Sequence, residues 1–136
     1  MTIPRSPIHS LLFDTQAFLW ADADQEKLSP RAKQILASAQ TPVFLSIVSI
    51  WEVQIKVMLG KMTLRANIVD IVEDHLKAGS IKLLSVQLMH VRSLQSLPNL
   101  HRDPFDRMLI AQAMHENMTL ISSDSQIAQY PIPILW

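Results

Sequence analysis

The chain has 136 residues, 49% of them hydrophobic and 18% charged, which is apolar material enough for one compact core and too little charge for a disordered segment. Twelve basic residues balance twelve acidic ones, so there is no large basic field, and any nucleic acid would be held by a local charge cluster or through metal ions. The absence of cysteine excludes disulfides, thiolate zinc sites and thiol nucleophiles.

In chain order, the first apolar run is only Leu11-Leu12-Phe13 before Asp14 intervenes, short of the roughly 7–15 residues of a signal peptide. Residues 43–59 are interrupted by Glu52, Gln54 and Lys56 and fall short of the 18 or so that span a bilayer. A cytoplasmic protein with no membrane contact is expected, as one domain over residues 1–136 with 1–8 a short N-terminal extension. Residues 10–13 read as a buried strand and 15–21 as a helix. A second helix is predicted over 28–39, with Ser29 as N-cap and Pro30 at its first position.

Residues 42–45 form the second predicted strand. Ser46 then caps a long helix to about Leu59, stopped by Gly60. A helix over 67–78 closed by Gly79, a strand over 81–84 and a helix over 86–96 follow. Pro104 opens a helix to about Glu116, and residues 119–122 and 132–135 are the last strands. Short apolar strands alternating with helices predict an α/β sandwich on a mostly parallel sheet. In such sheets chemistry gathers at the carboxyl ends of the strands, which directs attention to Asp14 and Asp124.

Each acid has a bland reading. Asp14, between a strand and a helix, is placed to cap that helix, for about 1 kcal/mol. Glu52 could be a surface acid paired with Lys56 four residues on, although Ser49, Glu52 and Lys56 form a polar stripe on an otherwise apolar helix. Asp103, before Pro104, is a natural cap; Asp106, at the third helical position, is favoured by the helix dipole yet could equally turn to the sheet edge. Asp124 could serve a turn. Together they are harder to dismiss, because two carboxylates about 4 Å apart repel by roughly 4 kcal/mol at an effective dielectric near 20. A converging cluster needs a cation, and all-oxygen ligation suits Mg²⁺ or Mn²⁺.

Longer strings carry a resemblance. Leu12 to Trp20, reading LFDTQAFLW, resembles the LLDTHxLLW opening of PIN-domain toxins of the VapC type. Ser49-Ile50-Trp51-Glu52 with Lys56 and Leu59-Gly60-Lys61 is similar to their SxWExxxK…LGK segment. The run from His101 to Ala113 is similar to the HRDPFDRxLIAQA of one subgroup. Thr119 to Asp124 matches LTLVTxD, and the ending Pro133-Ile134-Leu135-Trp136 matches PxLW. The motifs occur in order from about residue 9 to the C-terminus.

The resemblance implies a three-layer α/β/α PIN-like fold with a mostly parallel central sheet. It also implies an endoribonuclease that hydrolyses RNA phosphodiesters with Mg²⁺ or Mn²⁺, acting as the toxin of a type II toxin–antitoxin pair. An antitoxin protein and a second copy of the chain, as a homodimer, are its expected partners. Carried over by position, the catalytic acids are Asp14, Glu52, Asp106 and Asp124, with Asp14, Asp106 and Asp124 on the metal and Asp103 either a further ligand or a cap. Ser122 stands at the family's Thr position, able to hydrogen-bond an acid or phosphate; Lys56, Arg102 and Arg107 are candidates for flanking phosphates, with solvated surface roles equally open.

Two positions depart from the pattern. Gln16 replaces a frequent His, and Asn117-Met118 replaces Gly-Leu, where Asn tolerates the left-handed conformation that Gly would supply. Trp51, Met58, Leu59 and Met62 are candidates for an antitoxin groove or a homodimer face, with core packing the favoured reading for Trp51. The competing function is a catalytically silent PIN module that binds RNA or a partner protein. An acid-rich phosphatase is not supported, since no Asp-x-Asp pair follows the first strand.

Overall fold

Leu11–Phe13 form strand β1, and all three side chains are buried, as expected of a strand covered on both faces. The computed structural model describes residues 8–38 and 40–136. The predicted extension therefore falls, but for Ile8, outside the described residues, as does Ala39 at the end of the second predicted helix.

Helix α1 spans Thr15–Ala23, α2 Pro30–Ala37, β2 Val43–Ser46, α3 Ile47–Met58, α4 Ile68–Lys77 and β3 Lys82–Leu84. Helices α5 (Leu88–Leu94) and α6 (Pro104–Glu116) precede β4 (Thr119–Ile121) and β5 (Ile134–Leu135). The five strands form one all-parallel sheet in the order β3-β2-β1-β4-β5. Leu11 lies opposite Val43 on one side and Thr119 on the other.

Alternation along the strands builds two cores. Leu11, Phe13, Leu45, Ile121 and Leu135 face one core, closed by Phe18 of α1, Val53 of α3 and Ile68, Ile71 and Val72 of α4. Leu12 and Leu120 face the other, closed by Leu109, Ile110 and Ala113 of α6 together with Val48 at the start of α3. The result is the predicted α/β/α sandwich.

Local chemistry sets most element ends. Ser29 Oγ accepts from Ala32 N at 3.0 Å, and Ser46 Oγ from Val48 N at 3.1 Å. Gly60 and Gly79 end α3 and α4 at φ +72° and +73°, conformations that cost other residues more. Asn117 follows α6 at φ 56°, ψ 43°, the left-handed turn predicted for it.

Four elements differ most from expectation. The helix predicted over 86–96 narrows to Leu88–Leu94, where His90 Nδ1 accepts the Gln87 N–H at 3.1 Å. The strand predicted from 132 begins at Ile134, because Pro133 has no N–H to give the ladder, although its carbonyl accepts from Leu120 N. Short 3-10 turns at Gln25–Lys27 and Ile127–Gln129 leave no periodic signal. Trp51 is corrected: it is 59% exposed and packs edge-on against Phe105, ring centroids 5.3 Å apart. The inward side of α3 is taken by Val48, Ser49, Glu52 and Val53. Among the described residues, no helix is long and apolar enough to cross a membrane.

Candidate active site

The chain winds from β1 outward to β2 and β3, then returns to β4 and β5 on the other side of β1. Crevices form at the carboxyl edge of a sheet where the strand order reverses, and here that place is the end of β1. Asp14 is the next residue. Its N–H extends the ladder to Ile121 O at 3.0 Å, and its Oδ1 accepts from Ala17 N at 2.7 Å, capping α1. Capping and site placement therefore coincide in one side chain.

Glu52 enters from α3, only 3% exposed. Thr15 Oγ1 donates to its Oε1 at 2.7 Å and lies 2.9 Å from Ser49 Oγ; Lys56 Nζ donates to its Oε2 at 2.6 Å. The pair with Lys56 exists, but the acid is buried at the sheet edge rather than displayed on the surface. The polar stripe Ser49–Glu52–Lys56 is thus the side of α3 that meets α1.

Asp103 and Asp106 open α6. Asp103 Oδ1 accepts from Phe105 N and Asp106 N at 2.8 and 3.1 Å, so the cap reading holds for that oxygen while the side chain also lines the cleft. Asp124 lies beyond β4. Its N–H donates to Ser122 Oγ at 3.1 Å, and its Oδ1 accepts from Gln126 N at 2.8 Å. Ser122, 1% exposed, lies beside the Asp14 carboxylate and favours its charged form.

Asp14, Glu52, Asp103, Asp106 and Asp124 together line a cleft of about 340 Å³, with Lys56 at its side. Burial pushes the Asp14 carboxyl up to about 6, with the charges of Asp124 and Glu52 adding to the effect against the Ser122 hydroxyl and the hydrogen bond from Ala17. Burial likewise pushes Asp106 up to about 7, with Asp103 and Glu52 contributing and His101 opposing. These are the signs of carboxylates buried beside one another without sufficient positive charge. A cavity of similar size, about 360 Å³, lies among Phe13, Phe18, Leu28 and Leu36, so chemistry rather than volume singles out the acid cleft.

Not every sequence candidate is in it. Arg102 and Arg107 line a separate depression with Leu94, Asn99 and Pro104. Arg107 Nη1 donates to Pro98 O at 3.0 Å and to Tyr130 Oη at 3.1 Å, bracing a loop. Conversely, the structure adds His101, whose Nε2 is 2.9 Å from Asp106 Oδ2 and 3.7 Å from Asp124 Oδ2. Ligating atoms of His101, Asp106 and Asp124 all lie within 4.8 Å of one another. The one sequence signal for His101 was its place in His101-Arg102-Asp103-Pro104-Phe105-Asp106.

The PIN domain family model matches residues 11–133. The chain belongs to the PIN-domain family. Among solved structures, this PIN domain resembles VapBC2 from Rickettsia felis bound to a DNA fragment from their promoter, with 15% identity over 93% of this chain and 96% of that one and a TM-score of 0.69. It also resembles DNA-bound VapBC from Salmonella typhimurium, with 10% identity over 94% and 98% of the two chains and a TM-score of 0.66. A toxin–antitoxin complex from Klebsiella pneumoniae gives 16%, 93%, 97% and 0.60 in the same order. At these identities the likeness is one of fold. No curated protein matches the sequence.

The donor set fits a hard divalent ion. The carboxylates of Asp14, Asp106 and Asp124 offer oxygen, as Mg²⁺ and Mn²⁺ prefer, and among the described residues neither raised carboxyl, Asp14 or Asp106, is paired with a lysine or arginine.

Proposed function

We propose that this PIN domain is a Mg²⁺- or Mn²⁺-dependent endoribonuclease, the toxin of a toxin–antitoxin pair. The observation that carries the reading is the convergence of Asp14, Glu52, Asp106 and Asp124 on one cleft at the carboxyl edge of the sheet. The sequence resemblance and the solved toxin–antitoxin complex of the same fold support the toxin role and an antitoxin partner.

Asp14, Asp106 and Asp124 would hold the ion. When bound, a divalent cation neutralises phosphate oxygens and makes water a stronger nucleophile at neutral pH. Glu52 already accepts from Thr15 and Lys56, but a carboxylate has about four lone-pair sites. Its remaining ones orient the water that attacks phosphorus as the P–O bond to the leaving nucleotide breaks. Lys56 fixes Glu52 from the solvent side. The exposed Met58 and Leu59 at the end of α3, beside Trp51, give an apolar surface for the antitoxin.

The test is cleavage of single-stranded RNA by the purified chain. Asp14→Asn keeps an oxygen able to cap α1, so the fold should persist while cleavage is lost. Full activity in that variant, or undiminished activity in EDTA, would overturn the reading.

A further inference from the structure

His101 has no role in the reading above; it stands behind the cleft, in the depression with Arg102 and Arg107, with its ring against Asp106 and Asp124. Its ring is 10% exposed, and both nitrogens are engaged. Nδ1 accepts from Asp103 N at 3.4 Å, and Nε2 faces Asp106 Oδ2 at 2.9 Å. An imidazole nitrogen that accepts a hydrogen bond leaves the ring proton on the other nitrogen, so the proton is on Nε2 and is donated to Asp106.

That assignment argues against His101 as a metal ligand, despite its distance to Asp106 and Asp124. Ligation through Nε2 would move the ring proton to Nδ1, where it would meet the Asp103 N–H head-on. The ring instead fixes Asp106: with Oδ2 held by His101, the other oxygen is the one left to turn to a cation.

The backbone of His101 is fixed in turn from a distant part of the chain. Tyr130, 3% exposed and just past the Ile127–Gln129 turn, accepts through Oη from His101 N at 2.9 Å and Leu100 N at 3.2 Å. Arg107 Nη1 joins the same hydroxyl and also holds the Pro98 carbonyl. The loop before α6 has no ladder to satisfy its N–H groups; one phenol supplies the acceptor for two of them.

We propose that His101, anchored through its backbone by Tyr130, is a positioning residue that orients the Asp106 carboxylate for divalent-cation binding. The inference rests on the metal-site reading above. Partners that orient a ligand carboxylate commonly change metal affinity by about 10–100-fold when removed.

The experiment is titration of the purified, RNA-free chain with Mn²⁺, read by calorimetry and by the electron paramagnetic resonance signal of the ion, well below each variant's melting temperature. His101→Leu should weaken Mn²⁺ binding by about 10–100-fold. His101→Gln, which keeps a donor N–H, should recover part of the loss, and Tyr130→Phe should show a smaller loss in the same direction. In cleavage assays, raising Mn²⁺ should restore kcat in His101→Leu, as expected when binding rather than chemistry is damaged. Unchanged Mn²⁺ affinity in His101→Leu overturns the proposal while leaving the ribonuclease reading standing. If His101→Leu fails to fold, unchanged affinity in Tyr130→Phe overturns it instead. A nitrogen hyperfine coupling on the bound Mn²⁺ also overturns it, by showing the imidazole as a ligand. No Mn²⁺ binding by the parent chain removes this inference and the metal-site reading together.

Discussion

Two aspartates of α1 or its cap, Asp22 half-buried and Asp14 buried, behave in opposite ways. Asp22 has a side chain 5% exposed; Asp14 as a residue is 6% exposed. Arg65 grips Asp22 through Nε and Nη2, both at 2.9 Å, and His75 Nε2 approaches its Oδ1 at 2.9 Å. The hydrogen bonds from Arg65 hold the Asp22 carboxyl below its ordinary range, with His75 adding to the effect. Burial pushes Asp14 up to about 6, against a hydroxyl and a backbone N–H that hold it down, and among the described residues it has no Lys or Arg partner. A buried carboxylate paired with an arginine brings its cation with it; one without such a pair leaves the place open for a cation from solution.

The sharpest way to break that contrast is to neutralise each aspartate. Asp14→Asn should cut RNA cleavage by on the order of a hundredfold or more. Its metal-free melting temperature at pH 8 should stay level or rise, because a crowded charge is removed while the cap is kept. Asp22→Asn should do the reverse, leaving cleavage intact and lowering the melting temperature by a few degrees. Equal losses of activity in the two variants would erase the distinction.

A second test uses pH. The folded Asp14 and Asp106 carboxyls, at about 6 and about 7, lie above the ordinary 3.8. The native state therefore holds protons that the unfolded chain has released, and metal-free stability falls as pH rises from about 4 to about 7. Asp22 works the other way: its contribution is complete above the ordinary carboxylate value and is lost as pH falls through its depressed value. Mn²⁺ should therefore raise the melting temperature far more at pH 8 than at pH 5, where protons compete for Asp14 and Asp106. Equal shifts at both pH values would show that these carboxyls are not the ones the ion meets.

The contrast also explains what the sequence made legible. Element order and most caps follow from neighbours within a few positions, as at Ser29, Ser46, Asp103 and Asn117. The four acids stand out because ordered motifs surround them. His101 was not legible as a site residue, because its role is set by Tyr130, 29 positions away. Arg107 shows the same gap in reverse. It was a candidate for a flanking phosphate with a solvated surface role equally open, whereas its guanidinium donates to Pro98 O and Tyr130 Oη. Nor does helical spacing tell which side of α3 meets the sheet edge, so Trp51 was read inward although Glu52 holds that place.

The smallest expected effect concerns Lys56, the one basic side chain among the described residues lining the cleft. Its pKa is raised first by its hydrogen bond to Glu52, then by the charges of Glu52, Asp103 and Asp106. With 40% of the Lys56 side chain exposed, the pair itself contributes only about 0.3–0.5 kcal/mol; the buried Glu52 keeps its Thr15 hydroxyl and can accept from a glutamine amide, so Lys56→Gln should lower stability only modestly. Because the ammonium is already committed to Glu52 at 2.6 Å, the salt dependence of RNA binding should keep its slope, whereas loss of a direct phosphate contact would reduce it by about one. Mn²⁺ should bind modestly tighter, since the acids lose the one lysine among the described residues that lines the cleft. A reduced salt slope with unchanged Mn²⁺ affinity would instead place Lys56 on the RNA, and would make the cleft less dependent on outside cations than its contrast with Asp22 requires.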